Sequence, residues 1–188
     1  MTDADDLPTI AAVQGANSAE IQRLFATFAA SVSHGRRVVG VLEVPTGTPD
    51  GDAYLQSLTD GAVFPLFEDL GPGSRSCGLD GHSVAIACET VCRDIAAGCD
   101  LIVLSKFGRL ESERTGLMGA FIAGVDAQTP ILTSVGPRYD AAWASFAGPL
   151  SVVLSPELAA IEDWWRKVAR MPPGPSISRH GYLERNQS

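Results

Sequence analysis

The sequence predicts an α/β fold, a three-layer α/β/α sandwich around a mostly parallel sheet, and three observations carry that prediction. Short runs rich in Val, Ile, Leu and Ala recur along the chain and read as strands with both faces buried, because a sheet covered by helices on both sides has no solvent face to alternate toward. Longer segments between them place apolar residues at three- and four-residue spacing, as amphipathic helices do. Gly- and Pro-rich stretches punctuate the alternation. At 188 residues and 45% hydrophobic content, the chain suits one domain whose core needs neither disulfides nor a structural metal. The expected organisation is a flexible N-terminus over 1–8, one α/β domain over 9–170 and a proline-rich tail over 171–188.

The elements follow in order. Residues 9–15 form a short buried strand that stops at Gly15. Ser18 is the expected N-cap of the next helix, with Glu20 in its first turn, and Ile21, Leu24, Phe25, Phe28, Ala29 and Val32 share one face until Gly35. Residues 37–44 form the second strand, and the Pro/Gly/Thr/Asp-rich stretch 45–54 is a mobile loop by composition. Residues 54–58 and 62–67, split by Thr59-Asp60-Gly61, suggest a hairpin whose second strand is an edge because of Pro65. A glycine-rich loop over 69–80 precedes a helix over 81–97, which feeds a strand at Asp100. A helix over 115–127, a strand over 130–135, a short helix over 138–147, a strand over 150–154 and a last helix over 157–170 complete the chain. Leu158, Ile161, Trp164, Trp165 and Val168 face inward on that last helix. Trp164 and Trp165 lie about 100° apart on a helix, so either the helix packs deeply or one ring, with the tail, meets a second copy in a homo-oligomer.

Composition excludes several functions. A formal net charge of −8, from 14 basic and 22 acidic residues, opposes nucleic-acid binding, which depends on neutralising phosphates. No apolar stretch reaches the ~18 residues of a membrane span, and the acidic N-terminus is unlike a signal peptide, so a cytoplasmic protein without a membrane partner is expected. Cys88, Cys92 and Cys99 lack zinc-knuckle spacing and read as core packing. Cys77 stands apart in the glycine-rich loop. It is either inert or, beside Arg75 and a helix start, a reactive thiolate or soft metal ligand that His82 could join.

The most informative stretch is 100–111, an apolar run that ends abruptly in Ser105, Lys106, Gly108, Arg109 and Glu111. Ligands of open α/β sheets bind beyond the carboxyl ends of the strands, which is where these residues fall. Lys106 is one of only two lysines in the chain. Its plain reading is a structural bridge to Glu111, Glu113 or Asp80. Glu43, ending the second strand, faces the same edge and reads equally as a surface carboxylate. Asp80 is an N-cap candidate, and Ser18 suits a cap better than a nucleophile.

Residues 71–80, 100–111, 130–135 and 143–148 together resemble a bacterial domain-of-unknown-function family, DUF2478, which is similar to THEP-type P-loop nucleoside triphosphatases and often accompanies molybdate-transport genes. The resemblance covers about residues 9–155 and implies a P-loop-like fold. The motifs of an active nucleotidase are degenerate here. The turn at Gly15-Ala16-Asn17-Ser18-Ala19-Glu20 has one glycine and no lysine, too little for a phosphate cradle. Where active relatives carry an aspartate-glutamate pair, this chain, aligned on Gly108, has Ser105 and Lys106. These departures imply a cup for an anion instead, a molybdate-like oxyanion or a nucleotide phosphate, at Gly15, Asn17, Ser18, Arg75, Cys77, Asp80, Ser105, Lys106, Gly108 and Arg109. Two alternatives stand beside it. One is a triphosphatase or phosphotransferase with Lys106 as a relocated lysine; the other is an interaction protein whose site is vestigial.

Overall fold

A computed structural model describes residues 8–47, 53–67 and 80–169. The elements are β1 (Ile10–Val13), α1 (Ser18–Val32), β2 (Val38–Pro45), β3 (Ala53–Ser57), β4 (Val63–Pro65), α2 (Gly81–Ala96), β5 (Leu101–Leu104), α3 (Arg109–Ser112), α4 (Met118–Asp126), β6 (Ile131–Ser134), α5 (Asp140–Ala147), β7 (Ser151–Leu154) and α6 (Leu158–Val168). The seven strands form one sheet in the order β4-β3-β2-β5-β6-β1-β7. Strands β2, β5, β6, β1 and β7 are parallel, and the β3–β4 hairpin adds two antiparallel strands at one side. Pro65 lies on the edge strand, where a missing N–H costs no ladder bond.

Strand alternation sorts the core into two layers. Ile10, Ala12, Val39, Val41, Ile102, Leu104 and Ile131 point toward α2, α4 and α5, while Ala11, Val13, Val38, Leu42, Leu101, Val103 and Leu132 point toward α1 and α6. The sandwich therefore has the expected three layers. Phe107, Phe121, Trp143 and Phe146 form an aromatic cluster on the first side, with Phe107 and Trp143 ring centroids 5.1 Å apart.

Local differences from the expectation have simple causes. Asn17, not Ser18, caps α1: its side chain accepts from the Glu20 amide at 3.0 Å, and the Glu20 carboxylate accepts from the Asn17 amide, a closed capping box. Ser18 is the first helical residue. Strand β2 runs on through Pro45 and β3 begins at Ala53, which shortens the expected loop, and residues 48–52 lie outside the described residues. The helix expected over 115–127 begins only at Met118. Before it, α3 is a single turn, too short to show a helical period. Trp164 is buried and donates through Nε1 to the Pro8 carbonyl at 3.0 Å, and Trp165 meets Phe28 edge-on, so both rings pack on the chain itself. Of the expected flexible N-terminus over 1–8, residues 1–7 lie outside the described residues, and so does the whole of the expected tail over 171–188. Among the described residues, no helix is long and apolar enough to cross a membrane.

Gly40 fixes how β2 meets β5. Its φ is +124°, and a Cβ there would fall 1.9 Å from the Val103 carbonyl oxygen. Gly40→Ala should lower stability by about 3 kcal/mol, roughly 10 °C in Tm, because only a shift of the ladder relieves the clash. Thermal unfolding followed by circular dichroism measures this.

Candidate functional site

The carboxyl ends of the parallel strands form one edge, and Lys106 lies on it just past β5. Register explains its neighbour. Val41 is paired with Leu104, so two residues further along the same face Glu43 stands beside Lys106. Lys106 Nζ lies 2.5 Å from Glu43 Oε2. The contact is an ion pair, and among the described residues that buried oxygen has no hydrogen-bond partner. The lysine side chain is 47% exposed and the glutamate's only 17%. Lys106 thus bridges to Glu43, not to Glu111, Glu113 or Asp80 as its plain reading had it. Those acids are closer along the sequence; Glu43 is closer through the sheet.

The expected alternatives are engaged elsewhere. Glu111 is buried, and its carboxylate accepts from the Gly108 amide at 2.9 Å and the Leu117 amide at 2.8 Å, closing the turn between β5 and α4. Gly116, with φ +61°, leaves room for it: a Cβ there would approach Glu111 Oε1 to 2.4 Å. Asp80 caps α2, as expected. Its carboxylate accepts from the His82 and Ser83 amides at 3.0 Å each and from the Ser83 hydroxyl, and these bonds, the hydroxyl's first, hold it below the usual carboxylate range. His82 is exposed at the start of that helix.

Glu43, Ser105, Lys106, Gly108, Arg109 and Glu111 line one small cavity, about 50 Å³, whose other walls are Leu55, Leu66, Val84, Leu110 and Leu117. The structure thus brings together Ser105, Lys106, Gly108 and Arg109. It sets Gly15, Asn17 and Ser18 apart: β6 lies between β1 and β5, so the two strand ends are separated by two inter-strand spacings, roughly 10 Å. The start of α1 borders a different open groove, lined by Ala16, Glu20, Arg23, Leu24, Thr27 and Pro156. Arg75 and Cys77 lie outside the described residues.

Gln22 went unnoticed in the sequence. It sits on the buried side of α1, donates through Nε2 to the Ser105 carbonyl at 2.7 Å and accepts from the Glu43 amide at 2.9 Å. The Ser105 carbonyl also receives the Ser134 hydroxyl at 3.0 Å. One side chain thereby ties the ends of β2 and β5 together. A lone Gln within the apolar stripe Ile21-Phe25-Phe28 was the available signal, since a buried amide is kept only where it is hydrogen-bonded.

Among the described residues, the cavity offers magnesium no open carboxylate. Of the carboxylates lining the cavity, Glu43 carries the ammonium and both Glu111 oxygens hold amides. At the helix after β1 the Asn17 side chain takes the Glu20 amide, and the Glu20 carboxylate, which takes the Asn17 amide, puts a negative charge where a phosphate would approach. Among the described residues no group of three or more His, Cys, Asp or Glu side chains is placed to hold a metal ion. Cys88 is buried, and burial pushes the Cys92 and Cys99 thiols up to about 11.

The family model described as "Protein of unknown function (DUF2478)" matches residues 10–164. The chain is also 32% identical over 152 residues to "Molybdenum import ATP-binding protein ModC 2" of Bradyrhizobium diazoefficiens. That alignment covers 78% of this chain but only 17% of the relative, so most of the relative lies outside it. No solved structure is significantly similar to the chain.

Two outcomes follow from this geometry. Gln22→Leu keeps the volume but removes both hydrogen bonds, so it should cost about 2 kcal/mol in urea unfolding. Cys92 and Cys99, protonated at pH 8, should react with iodoacetamide roughly a hundredfold more slowly in the folded protein than in urea, read by mass spectrometry.

Proposed function

The chain belongs to the DUF2478 family, and from that premise we propose that it is a non-hydrolysing, cytoplasmic small-anion-binding protein on a degenerate P-loop-like scaffold, serving molybdenum handling. The observation that carries this reading is the half-exposed side chain of Lys106, which lines a cavity beyond the carboxyl ends of the parallel strands. That is where α/β sheets take their ligands. Arg109, exposed one turn away and free of ion pairs among the described residues, supplies a second positive charge. The cavity is small, which suits a tetrahedral oxyanion better than a nucleotide. Molybdate is the favoured cargo because the relative carries molybdenum import in its name. The ATP binding in that same name belongs to the whole relative, and the β1–α1 turn of this chain speaks against carrying it over.

The test is a thermal-shift and calorimetric screen of molybdate, tungstate, phosphate, ATP and GTP. At a hundredfold excess over Kd, molybdate should stabilise the protein by about 2.7 kcal/mol, a rise of roughly 5–10 °C. Lys106→Ala, compared with its own unliganded melting temperature, should lose that rise. Wild type unshifted by every anion would end this reading. Magnesium-dependent phosphate release that Lys106→Ala abolishes would favour a relocated-lysine phosphatase instead.

A further inference from the structure

We infer that Glu43 is a resident counter-anion that competes with ligand for Lys106 and thereby raises the affinity that any ligand must supply. The inference rests on the anion-binding reading above and deepens it. Three observations support it. Glu43 Oε2 is buried and, among the described residues, has the Lys106 ammonium as its one polar partner. The backbone that carries the carboxylate is held from behind, since the Glu43 amide is tied to Gln22, which also grips the strand end that precedes Lys106. The lysine side chain, by contrast, is about half exposed. An incoming anion therefore meets a lysine it can reach but that already carries a charge partner.

The consequence is a threshold. A monoanion that displaces the carboxylate exchanges one single-charge pair for another and gains little. A tetrahedral dianion keeps a surplus charge for Arg109, which lines the same cavity. The remaining charged group of the lining, Glu111, has both oxygens on amides and does not move between the two states. The favoured class is thus a small dianionic oxyanion.

Competition and simple repulsion differ measurably. If Glu43 is displaced, removing its charge helps every ligand by the same factor. If it stays in place and repels, the logarithm of the gain scales with ligand charge. The probes are molybdate, a dianion, and perrhenate, a tetrahedral monoanion of similar size, titrated by calorimetry into wild type, Glu43→Gln and Glu113→Gln. Glu43→Gln should bind both about five- to tenfold more tightly, by equal factors. Glu113→Gln, removing an exposed acid nearby, should bind as wild type does. Glu43→Asp, which keeps the charge on a shorter arm, should fall between wild type and Glu43→Gln, and it decides the matter if Glu43→Gln does not fold. Intact wild-type binding with no gain in Glu43→Gln overturns this inference alone. So does a molybdate gain far exceeding the perrhenate gain, or an equal gain in Glu113→Gln. Binding of neither anion by wild type or variant overturns the anion-binding reading as well.

Discussion

The register between β2 and β5 is the constraint on which the candidate site depends. It is set where Gly40 lies against Val103 so closely that no side chain fits between them. From there the ladder runs in step, Val38 with Leu101 through Val41 with Leu104. The pleat then carries Glu43 and Lys106 to the same face two residues later. A shift by one residue would turn one of the pair toward α1 and separate the charges. Gln22 holds the same two strand ends from the α1 side, so the pair is braced by hydrogen bonds as well as by sheet geometry.

That bracing matters because the electrostatics near Lys106 are local. The chain's net charge of −8 opposes anions in general, but at physiological ionic strength charges farther than about 8 Å are largely screened. What an approaching anion senses is the lining of one cavity, where Lys106 and Arg109 face Glu43 and Glu111. Glu111 is the weaker opponent, since two amides direct their dipoles at it. Among the described residues, Glu43 has only the ammonium. The balance of the site therefore turns on one carboxylate, and that carboxylate comes from the neighbouring strand.

This is also where reading the sequence reaches its limit. The apolar runs showed the parallel strands, and the abrupt end of the run at Lys106 marked a sheet edge; both are local properties that strand burial imposes. Strand order is not local. Nothing near Lys106 in the sequence says that residues 38–45 lie beside 101–104, so the nearby acids Glu111, Glu113 and Asp80 looked like the natural partners. Asn17 and Glu20, by contrast, stand at capping-box spacing, and that signal was present but outweighed by Ser18. The single turn of α3 left no periodic trace, and Gln22 looked like an ordinary polar residue until its two distant partners were brought beside it.

The same geometry bears on the size of ligand the edge can take. The start of α1 belongs to the layer with α6, whereas Lys106 shares the face that carries Leu104 and packs toward α2 and α4. Between them lies the end of β6, where Ser134 turns its hydroxyl inward to the Ser105 carbonyl. A nucleotide that used both the helix start and Lys106 would have to cross that strand end, and it would meet the Glu20 carboxylate where its phosphates need amides. A single oxyanion needs neither. It requires one accessible ammonium, a nearby guanidinium and a wall that keeps water from surrounding the pair, and Leu55, Leu66 and Leu110 provide that wall. The positive charge at the end of β5 and the closed capping box after β1 therefore act in one direction. On the anion-binding reading proposed above, each favours a small ligand at Lys106 over a long one stretched along the sheet edge.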